Sequence, residues 1–343
     1  MTCLCKFIPD EVLARLANDA SIKDFDRDAL QRTLAVDQEM RRVREATASL
    51  IASSAMISMS LVPANKKPLI KVYDCKHGGI LPGAKIASPQ SSSDGTVKRT
   101  FKNTTDVAKF YKKEFGRNSL DGQGMDLISS VHYGQNYNNA FWNGQQMTYG
   151  DGDNNIFIDF TKGNDVVAHE LTHGLTQFTS QLAYANEPGG LNESMSDVFG
   201  SMFRQWQANQ TADKADWLIG SDIMGPAATA KGFTCLRDMA NPGAKHALAP
   251  QPPHFSKYMP GMDPHVSSGI PNNAFYRAAT AIGGKSWQKA GKVWFQALTG
   301  YGPAPQLTMK QFADRTRTVA TQLFAAQPAV AQAIDKAWVA VGL

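Results

Sequence analysis

Residues 164–177 read Asn-Asp-Val-Val-Ala-His-Glu-Leu-Thr-His-Gly-Leu-Thr-Gln, and this stretch decides how the rest of the chain is read. Asn164 and Asp165 supply a helix start, with an acidic group near the positive end of the helix dipole. On that helix His169 and His173 are four residues apart, so they share one face, one turn from each other. Both imidazoles then reach a single ion. Glu170, between them, faces the same cleft and is placed to act on a water molecule. Glu193 follows His173 by 20 residues, in the run Gly-Gly-Leu-Asn-Glu-Ser-Met-Ser-Asp, and offers a third ligand. Three protein ligands leave one position open, which marks a catalytic zinc rather than a structural one. Asp197, one turn after Glu193, and its neighbour Asn192 are placed to orient the histidines from behind. Gly189 and Gly190 are read as the break that opens a second helix over about 191–207, folded back on the first.

The composition fits a mildly basic soluble protein of two lobes. The chain has 343 residues and is 43% apolar, enough for two packed cores. A formal charge of +5 with only 19% charged residues, and no long basic run, argues against nucleic-acid binding. Four cysteines, Cys3, Cys5, Cys75 and Cys235, do not make a dense disulfide framework. The apolar run 50–62 is too short to span a bilayer, carries several serines and is read as a linker.

Outward from the motif, residues 10–48 read as charged and helical. Leu69–Asp74, Met125–Val131, Phe141–Tyr149 and Ile156–Phe160 read as strands, and Thr104–Phe115 as a helix capped by Asn103 or Thr104. These elements predict an α+β lobe with a mostly antiparallel sheet. Beyond residue 183 strand signals fade. Helices are expected at 191–208, 271–283, 285–299, 308–325 and 328–341.

Four runs in this order, Asn139-Ala-Phe-Trp-Asn, Asp165-Val-Val-Ala-His-Glu-Leu-Thr-His-Gly, Gly190-Leu-Asn-Glu-Ser-Met-Ser-Asp and Asp263-Pro-His-Val-Ser-Ser-Gly-Ile, resemble the thermolysin-like metallopeptidases. Cys5-Lys-Phe-Ile-Pro resembles the start of the short propeptide of the protealysin branch. The resemblance implies an α+β fold with a β-rich N-terminal lobe, a helical C-terminal lobe and the zinc helix between them. It implies a propeptide over 1–50, a linker with the maturation cleavage over 51–68, and lobes over 69–182 and 183–343. The implied activity is that of a neutral zinc endopeptidase, made as a zymogen and cutting before large hydrophobic residues.

The same resemblance distributes roles. His169, His173 and Glu193 would bind one Zn2+, and Glu170 would be the general base. His265 and Tyr184 would stabilise the oxyanion, with Asp263 holding the His265 ring. Asn139 and Ala140 would pair with substrate backbone as an edge strand, and Arg237 would grip a substrate carbonyl. Phe157, Phe160, Val166 and Leu236 would line the pocket after the scissile bond. Relatives stabilised by calcium carry an acid where Arg204 stands, with Leu218 and Ser221 at other acidic positions. The double calcium site is therefore expected to be absent, with Arg204 neutralising Asp165 and Asp216; other calcium sites are left open.

A thiolate is a good zinc ligand, so Cys5, or alternatively Cys3, is expected to cap the metal in the precursor. Partners are then peptide substrates and the chain's own propeptide, with no membrane span, in a monomer. The first ten residues lack a basic stretch followed by an apolar core, so the expectation is secretion without a conventional signal peptide, a cytoplasmic location being the alternative. An aminopeptidase reading lacks its acidic Gly-x-Met-Glu-Asn anchor. A binding protein without chemistry is disfavoured by Glu170, Tyr184 and His265.

Overall fold

The computed structural model describes the backbone of residues 5–60 and 66–343, with side chains described outside 43–60. The chain opens with strand β1 (Cys5–Lys6) and helices α1 (Asp10–Ala17) and α2 (Asp24–Ser60). It continues through β2 (Ile70–Asp74), β3 (Ala84–Lys85), α3 (Gly95–Phe115), β4 (Leu127–Val131), β5 (Ala140–Trp142) and β6 (Met147–Tyr149). The helices α4 (Asn164–Gln177) and α5 (Asn186–Gln207) follow and carry the motif residues. The second lobe then runs β7 (Leu218–Ile219), α6 (Pro226–Ala230), β8 (Arg237–Asp238), α7 (Pro264–Ser267), α8 (Gly269–Ile282), α9 (Ala290–Thr299), α10 (Met309–Leu323) and α11 (Pro328–Ala340).

The sheet of the first lobe has the order β1-β5-β6-β4-β2-β3. It is mixed: β2 pairs parallel with β4 and β4 parallel with β6, while the other three pairs are antiparallel. The cause is connectivity. Helix α3 crosses between β2 and β4, and such a crossover returns the chain in the same direction. The expected strand 141–149 is instead the hairpin β5–β6, turned at Asn143, whose side chain accepts from the backbone of Gln145 and Gln146. The stretch 156–160 holds only a bridge from Phe157 to Met224 before a short 3-10 turn begins at Phe160.

Other boundaries also move. Helix α3 starts at Gly95, capped by Asp94, whose carboxylate accepts from Thr96 and Val97, and not at Asn103 or Thr104. The first ten residues of the expected linker, 51–60, continue α2; the run lacks Gly and Pro, the residues that stop helices. Gly189 and Gly190 lie inside α5 instead of breaking the chain. A side chain at 189 would meet Pro264, and one at 190 would meet Ser267 and Met309, so both serve close packing against α7 and α10.

Helices α4 and α5 pack along each other, almost wholly buried, and bring His169 and His173 against Glu193. Their approach depends on Gly200 of α5, where an added Cβ would lie 2.8 Å from the backbone oxygen of Asp165. Gly200→Ala should therefore push the helices apart and destabilise the protein by about 1–3 kcal/mol, read as a lower Tm in thermal unfolding. An unchanged Tm would mean that this contact does not set the spacing.

Candidate active site

The helix spacing puts the Nε2 atoms of His169 and His173 3.0 Å apart. Glu193 Oε2 lies 3.4 Å from His169 Nε2, and Oε1 lies 3.5 Å from His173 Nε2. All three side chains are buried. Zinc bonds of about 2.0–2.1 Å in a tetrahedron put ligand atoms roughly 3.4 Å apart, so this trio is spaced to hold the ion. The electrostatics agree. Burial works against a charge on His169, yet Asp197 and Glu193 raise its pKa to about 9, while burial pushes His173 down to about 4. Glu193 Oε2 makes no hydrogen bond, which leaves a buried anionic oxygen facing the two imidazoles where a cation would be matched.

Each ligand is held from behind. Asp197 accepts from His169 Nδ1 at 2.9 Å, and Asn192 Oδ1 lies 2.9 Å from His173 Nδ1. Asp197 also accepts two bonds from Arg237, at 2.7 and 2.8 Å, and one from Asn272 at 2.9 Å. Burial opposes the Asp197 charge, but Arg237 and His169 hold its pKa down to about 2. Glu170 lies alongside, fully buried. Neither carboxylate oxygen makes a well-formed hydrogen bond, and burial drives its pKa up to about 8.

Across the cleft, His265 Nδ1 lies 2.8 Å from Asp263 Oδ1, and Tyr184 Oη lies 3.2 Å from His265 Nε2. The Tyr184 hydroxyl also donates to Glu193. Burial opposes the His265 charge, but Glu193 and Asp263 keep its pKa above the usual value. Phe157, Phe160, Val166 and Leu236 are all fully buried in one apolar cluster.

The N-terminal segment fills this cleft, in a way the sequence did not reveal. Phe7 N donates to Ala140 O at 3.0 Å, and Ile8 N donates to Asn139 Oδ1 at 2.8 Å. Asn139 Nδ2 donates to Ile8 O at 3.1 Å, and Arg237 donates to Phe7 O at 3.2 Å. His265 Nε2 donates to Lys6 O at 2.6 Å. The Phe7 ring is buried in the same apolar cluster, 5.0 Å edge-on from the His169 ring and under the Arg237 guanidinium. A Cβ at Gly220 would meet Phe7 and Leu236. Lys6 is buried as well, its ammonium paired with Asp10 and Asp37. The only forward hint was that Phe7-Ile8 is the apolar pair such a pocket would accept.

Cys5 is not where the cap was expected. It sits opposite Trp142 in β1, is disulfide-bonded, and does not belong to the group of ligating atoms formed by His169, His173 and Glu193. The next residues along reach the catalytic cleft instead, Lys6 through its carbonyl and Phe7 through its ring. The alternative donor, Cys3, lies outside the described residues. Arg204 lies 3.9 Å from Asp165 and 3.6 Å from Asp216, as anticipated, but its shortest contact is an unanticipated 2.7 Å to Asp222.

A buried two-histidine, one-carboxylate centre beside an ionisable glutamate defines a hydrolytic metal enzyme, and the comparisons agree. The family model described as "Thermolysin metallopeptidase, catalytic domain" matches residues 43–177, and "Thermolysin metallopeptidase, alpha-helical domain" matches 180–343. The chain is 37% identical to an extracellular metalloprotease of Pectobacterium carotovorum subsp. carotovorum, over 99% of this chain and 96% of that protein. It is 39% identical to Protease PrtS of Photorhabdus sp. (strain Az29), over 79% of this chain and 76% of that protein. Its fold matches the solved precursor of protealysin, a metalloproteinase from Serratia proteamaculans, with a TM-score of 0.84 and 36% identity, covering 98% of this chain and 99% of that one. The chain belongs to the thermolysin family, as a zinc metalloendopeptidase of protealysin type.

Because Asp197 both orients His169 and neutralises Arg237, Asp197→Ala should weaken zinc binding about 10–100-fold, measured by competition with a chromophoric chelator. Wild-type zinc affinity in that variant would rule out the orienting role.

Proposed function

We propose that the protein is a zymogen whose residues 1–50 are an inhibitory propeptide, joined by the tether 51–68 to an enzyme with lobes 69–182 and 183–343. The mature enzyme cuts peptide bonds on the N-terminal side of large hydrophobic residues. One observation carries the reading: Lys6-Phe7-Ile8 makes backbone hydrogen bonds to Ala140, Asn139, Arg237 and His265, with Phe7 buried beside Leu236. A substrate would bind by the same strand addition, its residue after the cleaved bond taking the place of Phe7.

In this reading His169, His173 and Glu193 hold the zinc. Bound there, zinc supplies Lewis acidity, which makes water acidic enough to lose a proton near neutral pH. Glu170 takes that proton and returns it to the leaving amine. Its burial beside the cleft raises its affinity for a proton above that of an ordinary carboxylate. His265 and Tyr184 donate to the oxygen that becomes negative, and Asp263 keeps His265 charged and aimed. Asp197 and Asn192 fix the imidazoles. Phe157, Phe160, Val166 and Leu236 exclude charged side chains from the pocket. Arg237 and Asn139 hold the backbone on the C-terminal side of the pocket residue, and His265 holds the carbonyl before it, which sets the polarity of binding.

Latency then rests on occupation of the cleft and not on a thiolate. Maturation cuts within 51–68. Leu50 just before it, and Ile51, Met56, Ile57 and Leu61 within it, offer apolar side chains, although Leu61 and the side chains of 50–57 lie outside the described residues. The helical backbone over 51–60 has to unwind before it can bind as a strand. The extracellular relative supports secretion of this enzyme, and we propose that it works as a monomer. The full chain carrying Glu170→Gln should stay uncut and inactive. By contrast, Phe7→Asp should raise early precursor activity on casein several-fold by emptying the pocket. Unchanged latency in Phe7→Asp would remove the case for substrate-like inhibition.

We further propose that Arg204 replaces the double calcium site of calcium-stabilised relatives. Its guanidinium lies among Asp165, Asp216 and Asp222, supplying the positive charge that the ions would bring. Calorimetry should detect no tight calcium binding at this cluster in the native chain and a gain of binding in Arg204→Glu. Tight binding that the substitution leaves unaltered would contradict it.

A further inference from the structure

The parallel strands β2, β4 and β6 end side by side at Asp74, Val131 and Tyr149. A few residues beyond those ends the chain brings together His77, His132 and Asp151, which take no part in the chemistry above. Asp151 Oδ2 lies 2.9 Å from His132 Nδ1 and 3.4 Å from His77 Nδ1. The ligating atoms of the three residues all lie within 4.8 Å of one another. The two imidazole rings are 5.5 Å apart. The backbones are locked together as well, since His77 N donates to His132 O at 2.8 Å.

We propose that His77, His132 and Asp151 form a second metal site, separate from the catalytic centre, that takes a divalent transition ion such as zinc or nickel. Two imidazoles and one carboxylate are a donor set for such ions, whereas calcium and magnesium call for oxygen. The site repeats the logic of the catalytic one. Asp94 Oδ2 lies 3.0 Å from His132 Nε2, while Asp94 Oδ1 accepts from the first turn of α3. A carboxylate fixed in this way holds the proton on Nε2 and leaves Nδ1 to the ion, as Asp197 does for His169 with the two nitrogens exchanged.

An ion-pair account would need only a charged His132 between Asp94 and Asp151. It gives no role to His77, whose ring is turned to the same Asp151 oxygen and would repel His132 if both were protonated. His77 is 58% exposed, so the remaining coordination positions open to solvent and water can fill them. Gly150 and Gly152, on either side of Asp151, donate to the carbonyls of Asn139 and Tyr137. An ion at this site would therefore brace the segment that carries Asn139.

The test uses the untagged full chain with Glu170→Gln, which prevents self-cleavage, loaded first with one equivalent of zinc. Calorimetric titration with zinc, and separately with nickel, should then show one further equivalent bound, accompanied by a rise in Tm. Adding His77→Ala, a change at an exposed side chain that leaves the fold intact, should abolish both the further equivalent and the Tm rise while the first zinc is retained. Asp151→Asn should do the same. Absence of any further equivalent in the parent chain, or its persistence after His77→Ala, would overturn the proposal.

Discussion

The Asp197 carboxylate is the contact on which the active site depends. It is fully buried, and a lone buried carboxylate would be costly. It is stable there because it accepts from Arg237, His169 and Asn272, which come from β8, α4 and α8. One charge thus ties the zinc helix to the second lobe. Removing Arg237 takes away the cation that matches this interior charge, the situation that makes broken buried pairs so destabilising. Arg237, oriented by that pair, has an N–H left over for the carbonyl of Phe7. The group that orients a metal ligand therefore also orients the peptide lying over the metal site.

The N-terminal segment exploits this arrangement. It presents backbone to the same donors and acceptors that an incoming peptide needs, and it adds two restraints. Helix α1 packs its apolar side, Val12, Leu13 and Leu16, into the enzyme core. Lys6 is buried with Asp10 and Asp37, while Asp37 also accepts from Asn139 and Tyr137. The segment is held by its own ion pairs and by the Asn139 amide at once. Such a bound peptide is anchored far more firmly than its three central residues would allow alone.

How far the sequence carried this account depended on range. The histidine pair was legible because its spacing is a property of one helix, and Glu193 because a second helix follows close enough in sequence to fold back on the first. The roles proposed for Arg237, Tyr184 and His265 came only through resemblance, since no local pattern marks them. Phe7 escaped because its pairing partner is Ala140, more than a hundred residues away, and two-residue strands leave no periodic trace. The β2-α3-β4 unit did carry a readable signal, a helix between two strands, which implies parallel pairing. The early start of α3 was hidden by the polar run Lys98, Arg99 and Lys102, though Asp94 was a good cap. Gly189 and Gly190 misled because their reason is packing against α7 and α10, which only the folded chain reveals.

Zinc K-edge absorption spectroscopy on the full precursor with Glu170→Gln, loaded with a single equivalent of zinc, tests the central claim most directly. The account predicts a shell of nitrogen and oxygen only, at about 2.0–2.1 Å, with the outer scattering of two imidazoles. A sulfur scatterer at about 2.3 Å, or a spectrum with no imidazole contribution, would contradict it.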